Sequence, residues 1–375
     1  MSAGKEAILR DVAGLAGVSI KTASRVLNED PRVAPLTRAK VLSAMSQLEY
    51  RPDPAARSLR AGRDRSVGVV VDSIGDVFVA SLVSSIETLL ADAGYQVLMA
   101  SSHRDIDRER AIVQDFHQRR CAGVIVMPSS RDSLNDMRLG DLPVVFVDRK
   151  GDRADSQSVV VDDFELARLA TQHLIDHGHQ RIGILSDSRT VSTTDSRHLG
   201  YCRAMQDAGL AIDPALVRDD CPDERFVLGA VTELFALESP PTALISTNTR
   251  LSLGVVPALH LVGRTHTGFV AFGDFPMAAS LTPAVTVIDH SPRRIGGIAA
   301  HTLLKRINGE LATGVSEPIV VSAGLIPRGS GELPPCADAS TVASRSGSGA
   351  TQVFWPIDKG VEMTSAAINA EGGRR

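Results

Sequence analysis

From Ser66 onward, short apolar runs alternate with stretches in which apolar residues recur every three to four positions. SVGVVVDS (66–73), QVLMASS (96–102), AGVIVMPS (122–129) and LPVVFVDR (142–149) predict buried strands. VASLVSSIETLLADAG and DRERAIVQDFHQRR predict helices between the first three. A second series follows. It comprises SVVVDD, a helix near 164–177, RIGILSD, and helices near 196–209 and 226–236. TALISTN, a helix near 251–262, GFVAFGD and VTVIDH continue it. A helix over about 292–308 and a strand IVVSAGL (319–325) return to complete the sheets. Such alternation implies parallel sheets covered on both faces. There are too many strands for one compact sheet, so two similar α/β subdomains are expected, with a ligand pocket in the cleft at the strands' carboxyl ends.

The first fifty residues follow a different pattern. LRDVAGLAGVSIKTASRVLN (9–28) reads as two short helices around a sharp turn. Val12, Ala13 and Ala16 make an apolar face on the first. Gly17 stands where the backbone must turn left-handed. Val18 fills the angle, and Ser19 suits the N-cap of the second helix. Ala23, Val26 and Leu27 point inward, which leaves Ile20, Lys21, Thr22, Ser24 and Arg25 outward. That short, polar and basic set suits base edges and phosphates in a DNA major groove. A third helix from about Leu36 to Leu48 brings Val41, Met45 and Leu48 to close a small all-α core. Beyond it, Pro52 and Pro54 break the helix. Asp53 and Pro54 then start a short Ala-rich segment whose helicity depends on a partner surface.

The net charge of −4 conceals an asymmetry. Residues 1–65 carry twelve Lys and Arg against seven Asp and Glu, a net +5, which leaves −9 on the rest. A basic head on an acidic body concentrates attraction for phosphate in the head. Cys121, Cys202, Cys221 and Cys336 are widely spaced and suggest neither a zinc site nor a disulfide scaffold. The N-terminus does not read as a secretion signal, and no apolar run reaches the roughly 20 residues needed to span a bilayer. A cytoplasmic, nucleoid-associated protein with no cofactor and no membrane partner is expected. The expected domains are 1–50, a hinge over 51–65, a body over 66–330 and a disordered Ser/Ala/Gly-rich tail over 331–375.

The motifs from Asp11 to Asn28 (D-V-A-x-x-A-G-V-S-x-x-T-x-S-R-V-L-N) and from Tyr50 to Arg60 (Y-R-P-x-x-x-A-R-S-L-R) resemble the LacI/GalR family of transcriptional regulators. In the body, HLIDHGHQRIGIL (173–185), Arg197 with Gly200-Tyr201, and Leu281-Thr282-Pro283 resemble the same family. The resemblance implies a helix-turn-helix head on a type I periplasmic-binding-protein-like body of two Rossmann-like subdomains. It also implies a homodimer on a nearly palindromic double-stranded operator, acting as a repressor under a small-molecule effector: a sugar, nucleoside or related metabolite. Ile20, Lys21 and Arg25 fall on its base-reading positions, and Arg25 suits a bidentate guanine contact. Ser19, Thr22 and Asn28 suit phosphates or caps. Leu59 falls where the family wedges a leucine into the minor groove, with Ala56 allowing close approach of paired hinges and Arg60 probing the groove.

For the effector, the resemblance points to Phe78, Asp162, Arg197, Asn248 and Asp274. One departure concerns the ligand directly. The family's F-D-D reads Phe272-Gly273-Asp274, and Asn248-Thr249 replaces N-D, which leaves the effector class open. A periplasmic solute-binding protein would share the body but have no use for residues 1–60. A metabolic enzyme finds no G-x-S-x-G, H-E-x-x-H, P-loop or suitably placed G-x-G-x-x-G. His173 and His177 have metal-ligand spacing, yet the resemblance gives that segment a structural role. A regulator that has lost its effector response is the remaining alternative.

Overall fold

The computed structural model describes residues 7–27, 30–50, 65–219, 221, 224–311 and 317–335. Asn28, Ala56, Leu59 and Arg60 therefore lie outside the described residues. The head contains α1 (Leu9–Ala16), α2 (Ile20–Leu27) and α3 (Pro35–Gln47). Val12 and Ala13 of α1, Ala23 and Val26 of α2, and Val41 and Ala44 of α3 form its buried core. Met45 and Leu48 pack at the margin of that core rather than in it.

The body holds two six-stranded sheets. The first has strand order β11-β5-β4-β3-β1-β2 and is parallel throughout. Its strands are β1 (Ser66–Val71), β2 (Gln96–Ser101), β3 (Gly123–Val126), β4 (Val144–Val147), β5 (Ser156–Val160) and β11 (Ile319–Val320). Helices α4 (Val77–Asp92) and α10 (Pro292–Ile307) bury Leu82, Ile86, Ile295 and Leu303 on one face. Helix α5 (Ile106–Gln118) covers the other with Val113 and Phe116. Strand β2 is an edge and only partly buried, unlike β1, whose six residues are all buried.

The second sheet has order β12-β10-β9-β8-β6-β7. Its strands are β6 (Ile182–Leu185), β7 (Val217–Arg218), β8 (Ala243–Ser246), β9 (Gly268–Phe272), β10 (Thr286–Asp289) and β12 (Gly324–Ile326). All pair in parallel except β12, which runs antiparallel to β10. Helices α6 (Asp163–Asp176), α7 (Ser192–Asp207), α8 (Glu224–Phe235) and α9 (Thr249–Leu261) cover it.

The chain passes between the sheets after β5, after β10 and between β11 and β12. The single strand expected over 319–325 is thus two short ones, divided where the backbone changes sheet. Helix α7 starts at Ser192, ahead of the expected 196. Residues 331–335, expected to belong to the tail, instead pack on the second sheet. Glu332 accepts hydrogen bonds from Thr286 Oγ1 (2.8 Å) and Gly329 N and contacts His173 Nε2 at 2.6 Å. Leu333 O lies 2.8 Å from His179 Nε2.

Candidate nucleic-acid interface and effector cleft

The turn of the head is built as its residues dictate. Gly17 ends α1 with φ +65°, and Val18 N donates back to Ala13 O at 3.0 Å. Ser19 then caps α2: its hydroxyl accepts from Thr22 N at 3.1 Å and meets Thr22 Oγ1 at 2.9 Å. Capping fixes the start of α2 and leaves Ile20, Lys21 and Arg25 exposed on one side; Ile20 keeps 43% of its surface. Behind α2, Asp30 gathers the loop. Arg32 hydrogen-bonds its carboxylate at 2.9 and 3.0 Å and draws it down to about 2, while Arg38 donates to its carbonyl at 2.8 Å. Arg25 Nε is 3.9 Å from the same carboxylate, so the guanidinium is steadied yet half-exposed.

In the body, the carboxyl ends of both sheets face a cavity of about 510 Å³. Phe78, Arg197 and Asn248 line it together. Phe78 lies nearly flat on His290, with centroids 4.4 Å apart and planes 3° from parallel. His290 also meets the edge of Phe272, whose face carries the Arg197 guanidinium at 3.9 Å. Burial, then the charge of Arg197, pushes His290 down to about 3, so its ring is neutral. Arg197 donates from Nε to Asp163 Oδ1 at 2.8 Å and from Nη1 to Thr247 O at 2.5 Å. Burial lifts Asp163 to about 6 in spite of Arg197.

Charge crosses the cleft in a chain. Arg149 and Arg104 both bond Asp72, at 3.0 and 2.9 Å. Burial disfavours the charged form of Asp72, but those two guanidiniums hold it below the usual carboxylate range. Arg104 Nη1 then reaches Asp187 across the cleft at 2.7 Å, and Arg250 Nη2 meets the same oxygen at 2.8 Å. Sequence reasoning missed this network and His290. The available signal was a charged residue one or two positions after β1, β4 and β6, at Asp72, Asp148 and Asp187.

Two expected effector residues stand elsewhere. Asp162 is exposed and caps α6, accepting from Glu165 N at 3.0 Å. It borders a second cavity of about 340 Å³ together with Lys150 and Ser196. Asp274 is held by both Nη atoms of Arg328, at 2.8 and 2.7 Å, outside the main cavity. One oxygen of Asp162 serves the cap, whereas both oxygens of Asp274 are paired with Arg328. Gly273 has a physical reason of its own: φ is +92°, and a Cβ there would overlap Thr249 Oγ1. Among the described residues no group of three His, Cys, Asp or Glu is arranged to hold a metal. His173, His177 and His179 instead bond Glu332, the carbonyl of His173, and Thr242 with Leu333.

Residues 64–319 match the family described as periplasmic binding proteins and sugar binding domain of LacI family. Residues 8–53 match bacterial regulatory proteins, lacI family. The chain belongs to the LacI family. The HTH-type transcriptional repressor PurR of Pasteurella multocida is 30% identical over 308 residues, covering 80% of this chain and 92% of its own length. The HTH-type transcriptional regulator GalS of Salmonella typhimurium is 30% identical over 311 residues, 81% and 91% of the two chains. The Lac repressor dimer bound to operator and the anti-inducer ONPF superposes with TM-score 0.77 at 23% identity, over 87% of this chain and 99% of that one. A complex of the transcriptional regulator CelR with cellobiose superposes with TM-score 0.63 at 26% identity, over 87% and 100%. This LacI-family chain is a DNA-binding transcriptional regulator with an effector-binding body. No helix among the described residues is long and apolar enough to cross a membrane.

Proposed function

We propose that this LacI-family regulator is a cytoplasmic repressor that binds a palindromic operator as a homodimer and is switched by a small molecule in the inter-subdomain cleft. The carrying observation is the capped α2, which presents Ile20, Lys21 and Arg25 outward from a closed three-helix core. These three read base edges. Ser19, Thr22 and Asn28 serve phosphates, in addition to the cap that Ser19 and Thr22 already form. Leu59 wedges the minor groove, with Ala56 and Arg60 beside it. Phe78, Arg197 and Asn248 contact the effector; Asp162 borders the second cavity and Asp274 is paired with Arg328.

Support for the dimer comes from the Lac repressor, which is a dimer on its operator in the solved structure this chain matches. Effector control has a mechanical basis in the Arg104–Asp187 bridge between subdomains, which a ligand entering the cleft must accommodate. Operator selection from a random DNA pool, followed by anisotropy titrations with and without a metabolite panel, tests the reading. Sedimentation gives the stoichiometry. A two-to-one complex on a palindrome, with affinity shifted by a metabolite, is expected. Binding as a monomer, or without sequence preference, contradicts the proposal. Leu59→Ala should reduce bending in a phasing assay; unchanged bending removes the wedge.

A further inference from the structure

We infer that the effector carries an anionic group, a phosphate or carboxylate, which docks on the N-terminus of α7 between the hydroxyls of Thr193 and Thr194. This rests on the effector reading of the cleft and specifies its ligand class.

Three helices begin at the main cavity. Helix α4 is capped by Asp76, whose carboxylate accepts from Phe78 N (2.8 Å) and Val79 N (3.4 Å). Helix α9 is capped by Asn248 Oδ1, which accepts from Leu251 N at 2.9 Å. The sixteen-residue helix α7 follows Val191, which has no acceptor to offer, and its first amides have no side-chain cap. Open N–H groups at a helix start, with the positive end of the dipole, favour an anion.

A second observation is independent of the helix. Thr193 and Thr194 line the cavity, are only 7% and 3% exposed, and form no side-chain hydrogen bond with any described residue. Thr249, at the start of α9, is 3% exposed and equally unbonded through its hydroxyl. These hydroxyls have no partner among the described residues and open onto the cavity, where a ligand oxygen can bond them.

The acids around the cavity point the same way. Asp72 is taken by Arg149 and Arg104, Asp187 by Arg104, Arg250 and Ser188 N, and one oxygen of Asp76, Oδ1, by the α4 amides. Asp148, 3.6 Å from Arg149, is pushed up toward the neutral acid by burial. The uncapped amides of α7 and the threonine hydroxyls are donors without an acceptor among the described residues, and they match the oxygens of an anion.

Inorganic phosphate is the probe, titrated into the full-length protein at constant ionic strength with NaCl making up the difference. Calorimetry and thermal unfolding are the readouts. Saturable stabilisation by phosphate is expected, with Kd weakened at least tenfold in Thr193→Val/Thr194→Val. Val191→Asp should weaken it similarly while raising the melting temperature of the ligand-free protein, because its carboxylate supplies the missing cap. Glucose 6-phosphate against glucose, and ribose 5-phosphate against ribose, extend the comparison; the phosphorylated member should bind more tightly. No response beyond that to chloride overturns the inference. So does a response surviving both variants, which is surface binding only, or equal binding of neutral and phosphorylated members. A neutral compound that shifts operator affinity while phosphate is silent leaves the effector reading standing and the anion inference refuted. Phosphate bound through Thr193 and Thr194, with no compound altering operator affinity, does the reverse.

Discussion

Gly273→Ala is the sharpest test of how the cleft floor is built. At φ +92° a side chain is strained whatever the space, which costs about 1–2 kcal/mol by the usual left-handed penalty. The new Cβ also overlaps Thr249 Oγ1 and comes within 2.9 Å of His290 Cε1. Overpacking of that kind costs about 1–3 kcal/mol. The sum is a destabilisation of about 2–5 kcal/mol. Thr249→Ala alone removes one buried methyl and an unpartnered hydroxyl, for a loss of about 1 kcal/mol. Combined with it, Gly273→Ala loses its worst overlap and keeps the backbone strain and the close approach to His290 Cε1. The double variant should therefore be more stable than additivity requires, by about 1–3 kcal/mol. Urea denaturation followed by far-ultraviolet circular dichroism measures all four corners of the cycle. Strict additivity would show that Thr249 does not fill the space above Gly273. A Gly273→Ala protein as stable as the parent would refute the strain as well.

The other predictions concern the switch and the head. His290, held neutral near pKa 3, binds a proton more readily once unfolded, so it makes stability fall as pH drops from about 6.5 toward 3. Asp163, at about 6, has the opposite sign, binding its proton more readily in the native state between its ordinary value and 6. The difference between parent and His290→Gln in pH-dependent denaturation isolates the histidine; an identical acid slope contradicts its neutral burial. Ser19→Ala should cost about 1 kcal/mol in stability of the head through the lost cap of α2. Retention of full stability would mean that Thr22 N finds another acceptor. Arg25→Ala should weaken operator binding by ~1–3 kcal/mol and relax one base pair of the site. An unchanged selection profile excludes the bidentate contact.

Much of this fold was legible because burial and periodicity agree locally. β1, β3 and β4 are buried along their whole length, so an apolar run was sufficient evidence. In the head, Gly17 and Ser19 acted through their nearest neighbours, within reach of sequence reasoning. What escaped was long-range. Arg104 and Asp72 are 32 residues apart, and nothing local marks them as partners. Helix α7 was expected to start late because Ser-Thr-Thr-Asp has weak apolar periodicity. Those unread residues include the two threonines that face the cleft. Asp162 and Asp274 could be matched to a pattern by position, but whether a carboxylate is free depends on Glu165 N and Arg328.

The three passages of the chain between the sheets bear on the order in which the protein can assemble during synthesis. The head is made of contiguous sequence and can close as soon as it emerges. The first sheet cannot: α10 and β11, which cover its face and flank β5, come from residues 292–320, long after β1 has left the ribosome. Until then Leu82 and Ile86 of α4 lack the helix that buries them. Assembly thus waits on distant sequence, the situation that slows folding and exposes nascent chains to aggregation. Translation stopped before residue 292 would therefore yield a head able to fold, joined to a body whose first subdomain is open. Such fragments should depend on chaperones far more than the head alone.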